Sequence, residues 1–227
     1  MRAAFDLPDP QDSRAVGMMV IEDTAGNRRT RRIVQYTQDT PDGQDSYIEV
    51  QEPADVAGMR FLTLAEPGED VQRMYLPALD SARRISGSAK KGRFLGSDLF
   101  FYDMEDHKFE DFSGYRYLRS ELFRGHECDV VEAVPTDDNA PYSRMIQWVS
   151  RRDHYIYKME CYAENDSNRL FKTIISIEVG EQKGILYPVR QLIENHRDNH
   201  KTALMYQEIE INTGVSDDMF SVRYLER

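Results

Sequence analysis

Two groups of side chains in this sequence could carry chemistry, and a third could bind an amphiphile. Asp98, Asp103, Glu105 and Asp106 crowd beside His107, and paired carboxylates of this kind can serve acid–base catalysis. The chain is rich in Asp and Glu throughout, so such clusters also arise without a task. There is no G-x-S-x-G elbow and no glycine-rich phosphate loop, so no catalytic residue is assigned. His196 and His200 flank Asp198. They lie in a turn between strand patterns, without the helical i, i+4 geometry or a third ligand that zinc needs, so the segment reads as a solvated hairpin tip. The third group joins Lys90, Lys91 and Arg93 to the apolar run Leu99-Phe100-Phe101. A basic rim beside an aromatic plug suits a molecule with an anionic head and acyl tails. The plainer alternative pairs those cations with nearby carboxylates and sends the Phe rings into the core.

The elements that must position these groups are short apolar or alternating stretches. Strands are expected at 17–22, 29–37, 46–52, 58–65, 71–76, 82–86, 115–123, 127–134, 142–150, 154–163, 169–179, 185–195 and 201–211, separated by turns rich in Asp, Asn, Gly and Pro. Alternation is clean in several: Tyr155, Tyr157, Met159 and Cys161 share one face, and Phe171, Ile175, Ile177 and Val179 another. A period of two implies a sheet with a dry face, and the short links imply an up-and-down meander. Residues 95–112 break the rhythm and read as short helical turns with Ser97 or Asp98 as N-cap. Residues 215–220 read as a last helical turn. A single open sheet of about a dozen strands must curl or be covered, and 95–112 is the natural cover. No linker or repeat interrupts the chain, so one domain over 1–227 is expected, with roughly the first 14 residues loosely ordered.

The formal net charge of −11 argues against phosphate-backbone binding, so no nucleic-acid partner is expected. No apolar run approaches membrane-spanning length. The opening MRAAFDLPDPQD lacks the apolar core of a signal peptide, which leaves a cytoplasmic protein or a chain whose signal has been removed. Cys128 and Cys161 match no zinc motif. Strand 142–150 separates their strands by about 9–10 Å, beyond disulfide reach, so two free thiols are expected.

One stretch is distinctive: "YLP" at 75–77, "RRISGS" at 83–88 and "FLGSDLFFYDM" at 94–104, followed by "RGHECDVVEAVP", Trp148, "IYKMECY" and "NTGVSDDMF". In this order the motifs resemble the LolA/LolB-like outer membrane lipoprotein-sorting family, over roughly residues 15–225. The resemblance implies a mainly antiparallel β fold, a curved unclosed barrel (a LolA-like half-barrel) with short helices on its concave face. It also implies a periplasmic protein that handles lipid or acylated protein, with an inner-membrane transporter as a candidate partner; no cofactor or bound metal is expected. The ligand-contacting set expected on these grounds is Phe61, Tyr75, Phe94, Leu95, Leu99, Phe100, Phe101 and Trp148. The head-group rim is Arg83, Arg84, Lys90, Lys91 and Arg93. In the empty state Phe100 or Phe101 would fill the groove and then swing aside for ligand. The rival reading is a non-enzymatic interaction module that docks a membrane transporter or envelope assembly partner.

Overall fold

The computed structural model describes residues 1–227. Thirteen strands form one sheet: β1 (Asp12–Glu22), β2 (Arg28–Thr40), β3 (Gly43–Glu52), β4 (Arg60–Leu64), β5 (Val71–Leu76), β6 (Ser81–Ile85), β7 (Phe112–Phe123), β8 (His126–Pro135), β9 (Tyr142–Ser150), β10 (Ile156–Ala163), β11 (Asp166–Gln182), β12 (Ile185–Asn195) and β13 (His200–Ile211). The spatial order is β6-β5-β4-β3-β2-β1-β13-β12-β11-β10-β9-β8-β7. All neighbours run antiparallel, and every pair except β1–β13 is consecutive in the chain. The first and last strands thus meet at the middle, and the sheet ends in two unjoined edges, β6 and β7. This is the unclosed half-barrel expected from the sequence.

Local chemistry sets the hairpins. Asp23 caps the β1–β2 turn by accepting from the Ala25 and Asn27 N–H groups, both at 2.9 Å. The β7–β8 and β11–β12 turns are two-residue links, Arg124-Gly125 and Lys183-Gly184, with φ positive at both positions. That conformation matches the strand twist and costs glycine least.

Both faces are packed where the sheet is thickest, so burial there departs from simple alternation. On the concave face Met19, Ile21, Ile33, Ile48, Val50, Phe61 and Met74 form one cluster, with Phe94, Leu95, Leu99 and Phe101 inserted into it. A second concave cluster joins Ala133, Tyr142, Met145, Cys161 and Phe171 to Phe100, Tyr102 and Phe112. On the convex face Tyr47, Leu62 and Tyr75 are covered by Phe220 and Leu225 from the chain's end. There a 3-10 turn at Asp217–Met219 leads into α2 (Val222–Leu225), where Ser221 accepts from the Tyr224 N–H. Arg60 donates to the carbonyls of Leu225 (3.1 Å) and Arg227 (3.0 Å), holding that cover down. Cys128 and Cys161 are free and buried, on β8 and β10 with β9 between them.

Two departures from the sequence expectation concern the ends of elements. Strand β1 begins at Asp12, because the Asp12 carboxylate accepts from the Thr213 N–H (2.8 Å) and Gly214 N–H (3.1 Å) and fastens the strand's start. Neither Ser97 nor Asp98 caps a helix. The Ser97 hydroxyl donates to the Phe94 carbonyl (2.7 Å) and accepts from the Leu99 N–H (3.1 Å), closing a local turn. No helix is long and apolar enough to cross a membrane.

Candidate functional site

Residues 86–111 connect the two edge strands and cross the concave face between them. They form four 3-10 turns, at Gly87–Lys91, Phe94–Gly96, Tyr102–Met104 and Phe109–Asp111. Within this plug the Phe94 N–H donates to the Leu99 carbonyl (2.8 Å) and the Phe101 N–H to the Gly92 carbonyl (3.0 Å). The tight reversal between them puts Leu95 (φ 50°) and Gly96 (φ 72°) in the left-handed region, which a Leu side chain adopts only when its surroundings impose it.

The plug is fastened by buried charge. Asp98 is fully buried; it accepts from the Thr202 hydroxyl (2.7 Å) and the Asn195 amide (3.2 Å), with Arg93 at 3.8 Å. Asp103 lies against Lys172, itself 0% exposed, with Nζ at 2.5 Å. The same carboxylate accepts from the Tyr142 hydroxyl (2.6 Å) and the Phe100 N–H (2.7 Å). Burial, and then the neighbouring Asp103 charge, holds the Tyr142 phenol protonated well above its ordinary range. Lys172 Nζ also sits 4.1 Å from the centre of the Phe100 ring. Gln72 donates to the Phe101 carbonyl (2.8 Å). Buried pairs of this kind cost much to break, so the plug is an integral wall.

The remaining half of the concave face is covered only in part. Three cavities lie along it. One of about 430 Å³ is lined by Tyr115, Tyr117, Val131 and Val149. Another of about 240 Å³ is lined by Tyr155, Met159, Ile174 and Gln191. A third of about 200 Å³ is lined by Ala15, Gln35, Ile185, Tyr187, Tyr206 and Ile209. Met159 and Ile174 also pack against the two plug clusters, so the apolar floor runs unbroken from plug to groove. Glycines let the tyrosine rings lie close to the sheet. A Cβ at Gly180 would stand 2.5 Å from the Tyr187 ring, and one at Gly17 would stand 3.0 Å from that of Tyr206.

Structures solved for other proteins share this architecture. An outer membrane lipoprotein-sorting protein domain from Vibrio parahaemolyticus is 27% identical, with TM-score 0.90 over 95% of this chain and 92% of its own. A DUF1329 family protein from Desulfovibrio piger is 28% identical, with TM-score 0.90 over 98% of each chain. A LolA superfamily protein from Nitrosomonas europaea, at 20% identity and TM-score 0.75 over 98% of this chain and 96% of its own, shares the fold. A family model whose description reads "Uncharacterized protein" matches residues 42–227. The chain belongs to the family that this model describes, and its fold is LolA-like. No curated protein sequence matches it.

Within the LolA-like sheet the residues singled out from sequence divide three ways. Phe61, Phe94, Leu95, Leu99 and Phe101 come together in one concave cluster, with Phe61 and Phe94 ring centres 5.1 Å apart. Phe100 stacks on Phe171 at 5.5 Å in the neighbouring one. Tyr75 and Trp148 are not part of either. Tyr75 faces the C-terminal cover on the convex side and donates to Asp80 (2.8 Å). Trp148 packs with Cys128, Val130 and Ile146 on the same outer side, donates to Glu121, and lies under Lys158. The pleat puts each on the face opposite its chain neighbours Met74 and Gln147.

The basic set divides as well. Lys90 is 1% exposed and clamps Glu105 (2.5 Å) and Glu69 (2.9 Å). Lys91 pairs with Glu164 at 2.6 Å, and Arg93 with Asp198. Only Arg83 and Arg84 remain exposed, on edge strand β6. The turn at 196–199 is therefore more than a solvated tip, because Asp198 and His200 (3.1 Å from Arg93) tie it to the plug. The acidic patch near His107 also disperses. Asp98 and Asp103 are anchors, while Glu105, Asp106 and His107 line a separate polar cavity of about 300 Å³ with Glu69, Asp70 and Lys90. The groove residues Met159, Ile174, Tyr187 and Tyr206 were missed. Their only sequence signal is strand alternation, which does not say which face is concave.

Proposed function

We propose that this protein is a periplasmic carrier or accessory factor for an acylated lipid or acylated protein, with the acyl chain in the uncovered half of the concave face. The observation that carries this reading is the apolar groove of Met159, Ile174, Ile185 and Ile209 beside a plug that is locked in place. Its likeness to a lipoprotein-sorting domain supports the same chemistry. Eight methylenes buried at about 0.8 kcal/mol each contribute roughly 6 kcal/mol, enough to hold a chain and still release it. A net charge of −11 keeps the carrier from adhering to anionic bilayer surfaces between transfers.

Titration of a fluorescent fatty-acyl probe tests this. Wild type binds. Ile174→Asp and Ile209→Asp, which put charge in a dry groove, weaken binding at least about tenfold. Leu122→Ser, on exposed edge strand β7, leaves it unchanged. A folded wild type that binds no acyl probe defeats the proposal.

The second reading is docking of a membrane transporter or assembly partner by strand addition. It is favoured by the open edge of β7, where Tyr117 and Leu122 are 60% and 71% exposed.

A further inference from the structure

The plug is one of two segments that lie over the concave face. The other is the chain's first eleven residues. Met1 and Ala3 line the cavity over β7–β9, Ala4 and Leu7 the one over β10–β12, and Asp9 and Pro10 the one beside β1, β2 and β13. The segment therefore runs across the strands along the half that the plug leaves open. α1 (Arg2–Phe5) sits near one end, with Phe5 against Phe109 (5.9 Å) and Phe112 (5.8 Å). The three cavities are the gaps it leaves along a single track.

The two covers are held very differently. The plug has buried carboxylate anchors at Asp98 and Asp103. No backbone group of residues 1–10 bonds outside the segment: the Ala4 N–H bonds to the Met1 carbonyl and the Asp6 N–H to that of Arg2. The sole side-chain hydrogen bond leaving it is exposed, Arg2 to Glu110 at 2.7 Å. Of its residues none is fully buried. Its firm attachment begins only at Gln11, whose N–H donates to Asn212 (2.9 Å), and at Asp12. Segments with few buried contacts and exposed hydrogen bonds open at the lowest cost.

We infer that residues 1–10 are a displaceable strap that occupies the acyl groove in cis, and that one acyl chain takes the place of its second half over β10–β13. Leu7 is the side chain it replaces. This rests on the proposed acyl-binding function and assigns its moving part to the N-terminal segment, leaving Phe100 and Phe101 fixed.

Three proteins and one probe test it: wild type, a variant beginning at Gln11, and Leu7→Ser, each titrated with fluorescent palmitate. If the strap competes, both variants bind about tenfold tighter than wild type, because the groove no longer has to be vacated. A spin label on Asp6→Cys reports the movement directly, since Cys128 and Cys161 are buried and do not label. Its spectrum sharpens as palmitate saturates the protein. Palmitate binding with equal affinity in all three proteins and an unchanged spectrum overturns the strap while sparing the acyl function. Absence of binding in all three folded proteins overturns both.

Discussion

Replacing Lys172 with Met leaves the Asp103 carboxylate buried without its cation. Lys172 is fully buried and Asp103 7% exposed, at 2.5 Å. Removing one partner of such a pair typically costs about 3–5 kcal/mol. Asp103 keeps the hydrogen bonds from Tyr142 (2.6 Å) and the Phe100 N–H (2.7 Å), which places the loss near the low end, about 3 kcal/mol. For a domain of this size that lowers the melting temperature by about 6–12 °C. Asp103→Asn strands Lys172 in the same way. The double variant Lys172→Met/Asp103→Asn removes both charges, keeps the acceptor for Phe100, and lays a methionine beside the same ring. It recovers most of the loss, with a coupling of at least about 2 kcal/mol. Urea unfolding of the four proteins, read at constant m, measures this. Palmitate affinity of the folded single variants stays within about twofold of wild type, since a ligand that does not move the plug has no differential contact with its anchors. Single losses under about 1 kcal/mol that simply add would show that the charge pair does not fasten the plug.

Other outcomes follow from the same geometry. Both cysteines resist thiol reagents in the folded protein, where burial pushes Cys128 and Cys161 up, and both react after denaturation without reductant; finding neither would contradict the strand order. Burial raises the Glu105 carboxyl from 4.5 to about 7 against the opposing pull of Lys90. The folded protein then holds a proton that the unfolded chain has released, so this contribution to stability is present below pH 4.5 and lost as pH rises to about 7. Glu105→Gln removes that component, and identical pH–stability profiles for variant and wild type would count against it. Gly180→Ala forces the Tyr187 ring off the sheet, because the new Cβ would stand 2.5 Å from it. Palmitate affinity changes while melting temperature falls little; an unaltered affinity would place Tyr187 outside the acyl track.

Much of the fold was legible because strand alternation and turn chemistry are local. Thirteen stretches marked by those signals correspond to β1–β13, and the break at 95–112 falls within the plug. The start of β1 was missed because Asp12-Ser13-Arg14 is polar, and its partners Thr213 and Gly214 lie at the other end of the chain. Phe94, Leu95, Leu99 and Phe101 were legible as a group, since one short motif carries them. Tyr75 and Trp148 were misplaced because alternation separates two faces without saying which is concave. Lys90 looked like a surface cation because Glu69 and Glu105, its partners, are 15 or more residues away. The strap left only Phe5 and Leu7 as clues, too few for any periodicity.

Photolabelling with a diazirine fatty acid tests most directly where the acyl chain sits. Digestion and mass spectrometry of the labelled wild type should place the adducts on β10–β13, at residues such as Met159, Ile174, Tyr187 and Tyr206, with labelling suppressed by excess palmitate. Adducts confined to the convex face around Tyr75, Trp148 or Phe220, or competition-insensitive labelling spread over the surface, would contradict it.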